Sequence, residues 1–274
     1  MSATSILTEG VTNDARYTGS ATLLGLGPLV RKDFREWLRS KRAWVTPLVV
    51  TPILVLTAAN GAINHWAVVN FPAEDGKQIT PISLDATQNF MAAIGTQFMV
   101  IAAIYATMSL LIAERESGTL AWTASKPVSR LSIWLSKWIS SSVVLFVAAL
   151  LIPLLVTAAV VAALYGPFDP WLLVTSIVGT AALIVWFAAF GLAVGAHVRS
   201  HALVVAAGLG VLIVPSIVGG LWAPILDVMP TSIATWVMEL SAGQVGSILT
   251  PISYLVSIAV IVAIAGRRMR RMEF

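Results

Sequence analysis

The stretch SSVVLFVAALLIPLLVTAAVVAAL, running from Ser141 to Leu164, decides the fold. Its 24 residues include no Asp, Glu, Lys or Arg. An α-helix rises about 1.5 Å per residue, so about 20 apolar residues in a row cross a hydrocarbon layer about 30 Å thick. A barrel strand would be about ten residues long and would alternate apolar with polar side chains, which this run does not do. The whole chain shares the bias: of its 274 residues, 58% are hydrophobic and 11% charged, and the mean hydropathy is +0.87. Soluble domains carry roughly a quarter charged residues, so folds that need a wetted surface on all sides are excluded. With 19 Gly and 13 Pro the chain is neither collagen-like nor low-complexity. An all-α membrane protein remains.

Outward from that run, five more apolar stretches are bounded by charge. They give six spans at residues 44–63, 90–112, 139–164, 171–196, 202–222 and 247–265, none containing an Asp, Glu, Lys or Arg. Six crossings return both termini to one side. Sixteen of the 17 Lys and Arg residues lie before span one, between spans two and three, between spans four and five, or after span six. Only Lys77 lies on the other side, in a segment that also holds Glu74, Asp75 and Asp85. Basic residues are retained on the cytoplasmic face, which predicts a multi-pass protein of the cell (plasma or inner) membrane with cytoplasmic termini. Trp44 and Trp138 fall at inner boundaries and Trp66, Trp171 and Trp222 at outer ones, where an amphipathic ring is favoured. The sequence pI of 9.7 thus reflects topology, and cations spread along an inner rim argue against a nucleic-acid partner.

The chain divides into a polar tail (1–23), an amphipathic interfacial helix (24–42), a six-helix transmembrane domain (43–266) and a basic cytoplasmic tail (267–274). The first twenty residues are Ser/Thr-rich and lack an apolar core, so they read as a loose tail rather than a signal peptide. In the interfacial helix Pro28 stands near the start. Val30, Phe34, Trp37 and Leu38 recur at helical spacing, with Arg31, Lys32, Arg35 and Arg39 on other faces. Such a helix lies in the membrane surface, its aromatics in the headgroup boundary and its cations toward anionic lipid. It serves either as a juxtamembrane anchor or as a lever joining a cytoplasmic partner to span one.

The loop 113–137 is the most informative outside the membrane. Gly118 can break the helix that leaves span two, 119–125 can form a short helix, and Pro127 ends it. Ser129 can cap the helix that leads into span three. A short transverse helix with exposed Leu120 and Trp122 suits docking, or else it seals the end of the bundle. The sequence Glu114-Arg115-Glu116-x-Gly118-Thr119-Leu120, followed by Ser125-Lys126-Pro127-Val128-Ser129-Arg130, resembles the cytoplasmic loop of ABC-2 type transporter permease subunits, closest to the nitrous-oxide-reductase maturation permease group. Similarity in order and topology runs from Leu24 to the end, and motif-level identity covers Glu114–Arg130. Ala121-Trp122-Thr123-Ala124 departs from the aliphatic residues more usual there.

The resemblance implies an ABC-2 exporter-like permease whose loop is the coupling helix. Glu114, Glu116, Gly118, Thr119, Leu120, Trp122, Pro127 and Arg130 would then contact a separate ATPase subunit. It also implies two copies of that ATPase carrying ATP and Mg, and a second permease chain in a homo- or heterodimer. The outer segment 223–246, interrupted by Pro224, Pro230 and Gly243, would form short interfacial or re-entrant helices over the exit side, with Asp227 and Glu239 facing water.

No Gly-x-x-x-x-Gly-Lys-Ser/Thr occurs, and none of the five lysines follows a glycine, so a phosphate loop of that form is excluded and no cofactor is expected on this chain. The chain has no cysteine, and its His197–His201 pair beside Arg199 reads as a solvated turn, so no metal site and no catalytic role are expected. The rival from another class is an ion-coupled secondary transporter. Such proteins keep costly ionisable groups at mid-membrane, and the spans here have none. Mid-span polarity is limited to groups such as Asn60, Thr96, Gln97 and Thr107, which are pathway candidates or packing glue. The small-residue face with Gly191 and Gly195, and the pair Gly208 and Gly210, fit either intrachain packing or a subunit interface.

Overall fold

A computed structural model describes residues 23–70, 84–108, 110–241 and 243–271. The polar tail as far as residue 22, the charged group Glu74, Asp75 and Lys77, and residues 272–274 lie outside the described residues. Among the described residues every regular element is helical, and six helices are long and apolar enough to cross a membrane. All six coincide with the apolar runs read from the sequence. The described structure has a basic end, where the helix ends carry most Arg and Lys, and an opposite, acidic end.

Helix α1 (Leu26–Arg39) precedes span one, α2 (Lys41–Asn70). Span two comprises α3 (Ala86–Gly95), α4 (Phe98–Met108) and α5 (Leu110–Glu116), and returns to the basic end. After the short α6 (Thr119–Ala124), span three rises as α7 (Arg130–Leu145), a π-helical turn (Phe146–Leu151) and α8 (Ile152–Tyr165). The wide turn stands just before Pro153, which has no N–H to continue an α ladder. Span four is α9 (Pro170–His197), capped by Asp169, whose side chain accepts from the Trp171 N–H. Span five is α10 (His201–Leu221), and span six is α13 (Leu249–Arg271). The arginines of the expected basic tail, Arg267, Arg268, Arg270 and Arg271, continue α13 as its last turns, where cations oppose the helix dipole.

Helix α9 is the centre of the bundle, with α4, α5, α7, α10 and α13 all packed on it. Its small residues let neighbours close in. A Cβ on Gly191 would lie 2.9 Å from the Thr107 hydroxyl, and one on Gly208 of α10 would lie 2.6 Å from Ile104. Both therefore pack against α4 within the chain, whereas a Cβ on Gly210 would meet nothing within 4 Å. Thr107 is 1% exposed and donates to the Ala103 carbonyl at the α4–α9 crossing.

The segment after span five forms α11 (Ile225–Val228), a 3-10 turn (Pro230–Ser232) and α12 (Ile233–Ser241). The start of α12 meets α9 at Gly179, where a Cβ would stand 2.9 Å from the Ala234 Cα. Gly179 is nine residues into α9, which puts the contact about 13 Å below that helix's acidic end. The segment therefore folds back along α9. Ser253 and Thr250 of α13 donate to the Val228 and Asp227 carbonyls, satisfying the end of α11. Asp227 is exposed, whereas Glu239 is half-buried, in contact range of the Gly246 position beside Trp236.

Candidate functional site

The site is built where the loop between spans two and three turns back at the basic end. Gly118 takes a left-handed conformation (φ 73°) that a side chain would resist, so α5 stops there and α6 starts at an angle to it. Helix α6 has six residues and ends at Ala124, with Ser125 as its C-cap, before Pro127. Ser129 then caps α7, accepting from the Ser132 N–H at 3.0 Å. These breaks fall where the sequence placed them.

The two apolar residues of α6 have different roles. Leu120 is fully buried in the core cluster that also holds Ile133, Trp134 and Met269. The expectation that it would be exposed is corrected: it anchors α6 to the bundle, because α7 and α13 close over that face. Trp122 is 59% exposed, and the Lys126 ammonium stands 3.5 Å from the centre of its ring. That contact holds the indole while leaving its outer side free. Thr119 and Glu116 are exposed, Glu114 is half-buried, and Pro127 is exposed beyond α6. Arg130 donates to the Arg270 carbonyl at 3.1 Å, tying the loop to the end of span six.

Arg115 of the Glu-Arg-Glu motif does work that the sequence did not suggest. Its guanidinium donates to the carbonyls of Ala196 (2.6 Å), Gly195 (3.2 Å) and Val198 (3.4 Å), the free end of α9. Arg268 reaches the same Ala196 carbonyl at 3.4 Å. The loop is thereby fixed to the central span. His201 lies 3.9 Å from Glu116, and the His197 ring nitrogen contacts the Ala193 carbonyl.

A second tie joins the loop to α1. Asp33 is 5% exposed and accepts from the Ser136 hydroxyl at 2.6 Å, and its other oxygen lies 3.6 Å from the Lys137 ammonium. Lys137 also donates to Glu114. One buried cation thus joins α1, α5 and α7. Asp33, Glu36 and Glu114 bring carboxylate oxygens within 4.8 Å of one another, but Lys137 already supplies positive charge to two of the three. A cavity of about 170 Å³ lies beside them, with Trp37, Ser40, Arg42 and Leu110 among its walls. Lys32 pairs with Glu36 at 3.3 Å. Burial alone would lower the Lys32 pKa, but Glu36, Asp33 and Glu114 together outweigh that and hold it above 10.5. Trp37, expected in the headgroup boundary, is 5% exposed, because the Asp33–Lys137 pair draws its face of α1 onto α7. Phe34 and Val30 are half-buried and Leu38 is exposed.

Of the mid-span polar residues, Thr96 and Gln97 occupy a break in span two. Gln97 has φ 57°, rare for a residue with a Cβ, and the Thr96 hydroxyl takes the Ala93 carbonyl. Asn60 lies on the exposed side of α2, where its side-chain oxygen accepts from Asn64 at 2.8 Å. Tyr105, not singled out from the sequence, is 64% exposed two turns below Gln97.

A bundle of six apolar spans, with an amphipathic helix before the first and a structured transverse helix between the second and third, defines a multi-pass α-helical membrane protein. Residues 28–263 match the family described as ABC-2 family transporter protein, so the chain belongs to that family and is a multi-pass membrane protein. The match names the family and no subgroup within it. No curated protein matches the chain.

Proposed function

We propose that the chain is the permease subunit of an ATP-driven exporter, energised by a separate ATPase that docks on α6. Two ATPase copies would bind two permease chains, and the basic end would face the cytoplasm of the cell membrane. The observation that carries the reading is the division of labour in α6: Leu120 locks the helix into the bundle while Trp122, steadied by Lys126, is left uncovered. A partner that filled the space over Trp122 could push on α6. Arg115, Arg130 and Lys137 would pass that push to spans four, six and three. ATP and Mg would be held by the partner, and this chain would do no catalysis.

The exposed side of α4 supports a pathway between two permease chains. Non-helical backbone is tolerated at membrane depth only where protein or a water-filled cavity covers it. The break at Thr96–Gln97 lies about 17 Å below the start of α3 and is only half-buried within this chain. With Phe98 and Tyr105 it forms a face that a second chain would cover. Among the described residues the buried ion pairs stand at the basic end and not at mid-span, which gives no support to a proton or ion relay.

The test is co-expression with an ATPase subunit encoded beside this chain. The pair should co-purify and hydrolyse ATP, the chain alone should not, and Trp122→Ala should reduce the recovered ATPase tenfold or more. Full recovery with Trp122→Ala, or hydrolysis by the chain alone, would overturn the reading.

A further inference from the structure

Helix α1 divides into four arcs when its residues are placed at about 100° intervals around the axis. Leu29, Asp33 and Trp37 are buried against the bundle. On one flank Phe34 packs on the core and Leu38 is 46% exposed. This flank adjoins span one, since the indole N–H of Trp44, itself 68% exposed, donates to the Leu38 carbonyl. On the other flank are Lys32 and Glu36, beside Glu114 of the loop. The fourth arc, opposite the buried one, presents Pro28, Arg31, Arg35 and Arg39, all exposed.

These arcs fix a depth for the arginines. The Phe34–Leu38 flank continues into the apolar surface of α2, and the Lys32–Glu36 flank turns to the loop and to water. Arg31 and Arg35 stand on the arc between the apolar flank and the charged one, so with the apolar flank in hydrocarbon they would reach the level of phospholipid phosphates. An open groove of about 620 Å³ is lined by Gly27, Pro28, Arg31, Lys32 and Arg35. The first turn of α1 holds no acidic residue, and among the described residues no carboxylate pairs with Arg31 or Arg35. Two guanidinium groups one turn apart, with Lys32 on the rim of the same groove, match a phosphodiester headgroup, which carries one negative charge.

We propose that Arg31 and Arg35 form a seat for one anionic phospholipid in the leaflet at the basic end, and that its occupancy holds α1 against the bundle. A partner protein is the less suitable occupant, because the arc borders the apolar Phe34–Leu38 flank. The proposal is independent of the ATPase, and so is its test. The full chain is purified in detergent and titrated with phosphatidylglycerol, phosphatidylcholine or inorganic phosphate, following melting temperature and the lipid retained in native mass spectra. Phosphatidylglycerol alone should raise the melting temperature, and one molecule should be retained in preference to phosphatidylcholine from an equimolar mixture. Arg31→Gln with Arg35→Gln should need roughly thirtyfold more phosphatidylglycerol for the same shift, while Lys126→Gln should need no more than the unaltered chain. Should the double variant fail to fold, hydrogen exchange on the unaltered chain decides: phosphatidylglycerol should slow exchange in residues 26–39. An equal response to phosphatidylcholine or phosphate, an unchanged response in the double variant, or protection that spares α1 would each overturn the proposal. So would a double variant that kept its lipid response but lost a docked ATPase.

Discussion

Lys137→Met isolates the contact that joins the docking loop to the interfacial helix. The lysine side chain is 7% exposed, and its ammonium serves both Asp33, 6% exposed, and Glu114, 19% exposed. Methionine keeps most of the length and apolar stem but leaves the two carboxylates with only the Lys32 ammonium, 3.8 Å from Asp33. Breaking a buried pair by removing one partner costs about 3–5 kcal/mol. Water reaching Glu114 screens part of this, so the lower figure of about 3 kcal/mol is expected. At roughly 2–4 °C per kcal/mol for a chain of this size, the variant should melt about 6–12 °C lower. The assay is thermal unfolding of the purified chain in one detergent at one lipid ratio. A companion variant carrying Asp33→Asn, Glu114→Gln and Lys137→Met should recover most of the loss, since the two carboxylates are neutralised along with their shared cation and Lys32 keeps Glu36 as its partner. A single variant that melts within about 2 °C of the unaltered chain would refute the buried tie. So would a triple variant no better than the single one.

The remaining predictions concern the loop and the central span. Leu120→Ala should cost about 2–5 kcal/mol of stability, because the side chain is fully buried, whereas Trp122→Ala should stay within about 0.5 kcal/mol; thermal melts of the two compare them directly. Arg115→Lys keeps the charge but cannot reach three carbonyls from one planar group, so amides at the end of α9 should exchange at least tenfold faster in hydrogen-exchange measurements. Gly179→Ala puts a methyl group 2.9 Å from the Ala234 Cα and should cost about 1–3 kcal/mol, read as a lower melting temperature and faster exchange in α12.

The six spans were legible because uncharged apolar runs of this length have one stable solution in a bilayer, and charge bounded each of them. Gly118, Pro127 and Ser129 were legible because breaks and caps depend on local residue chemistry. What the sequence could not disclose was direction. A six-residue helix has too few turns for its periodicity to show that Leu120 points inward and Trp122 outward. The burial of Trp37 follows from Asp33 meeting Lys137, a pair 104 positions apart in the chain, which no spacing rule anticipates. Arg115 looked like a charged member of a docking motif, and its role as the cap of α9 depends on a helix end 80 residues further on. The break at Gln97 had only Gly95 as a signal, and Tyr105 read as one more apolar-span residue until the packing of α4 left it uncovered.

Docking of an ATPase on Trp122 is the proposed step that contact mapping tests most directly. The direct measurement replaces Trp122 with a photo-crosslinking amino acid in the full chain, irradiates native membranes, and identifies the joined peptides by mass spectrometry. The expected result is a crosslink to an ATPase carrying a Gly-x-x-x-x-Gly-Lys-Ser/Thr loop, lost when the same residue is placed at Leu120. Crosslinks confined to lipid or to this chain, in membranes where transport is active, would contradict it.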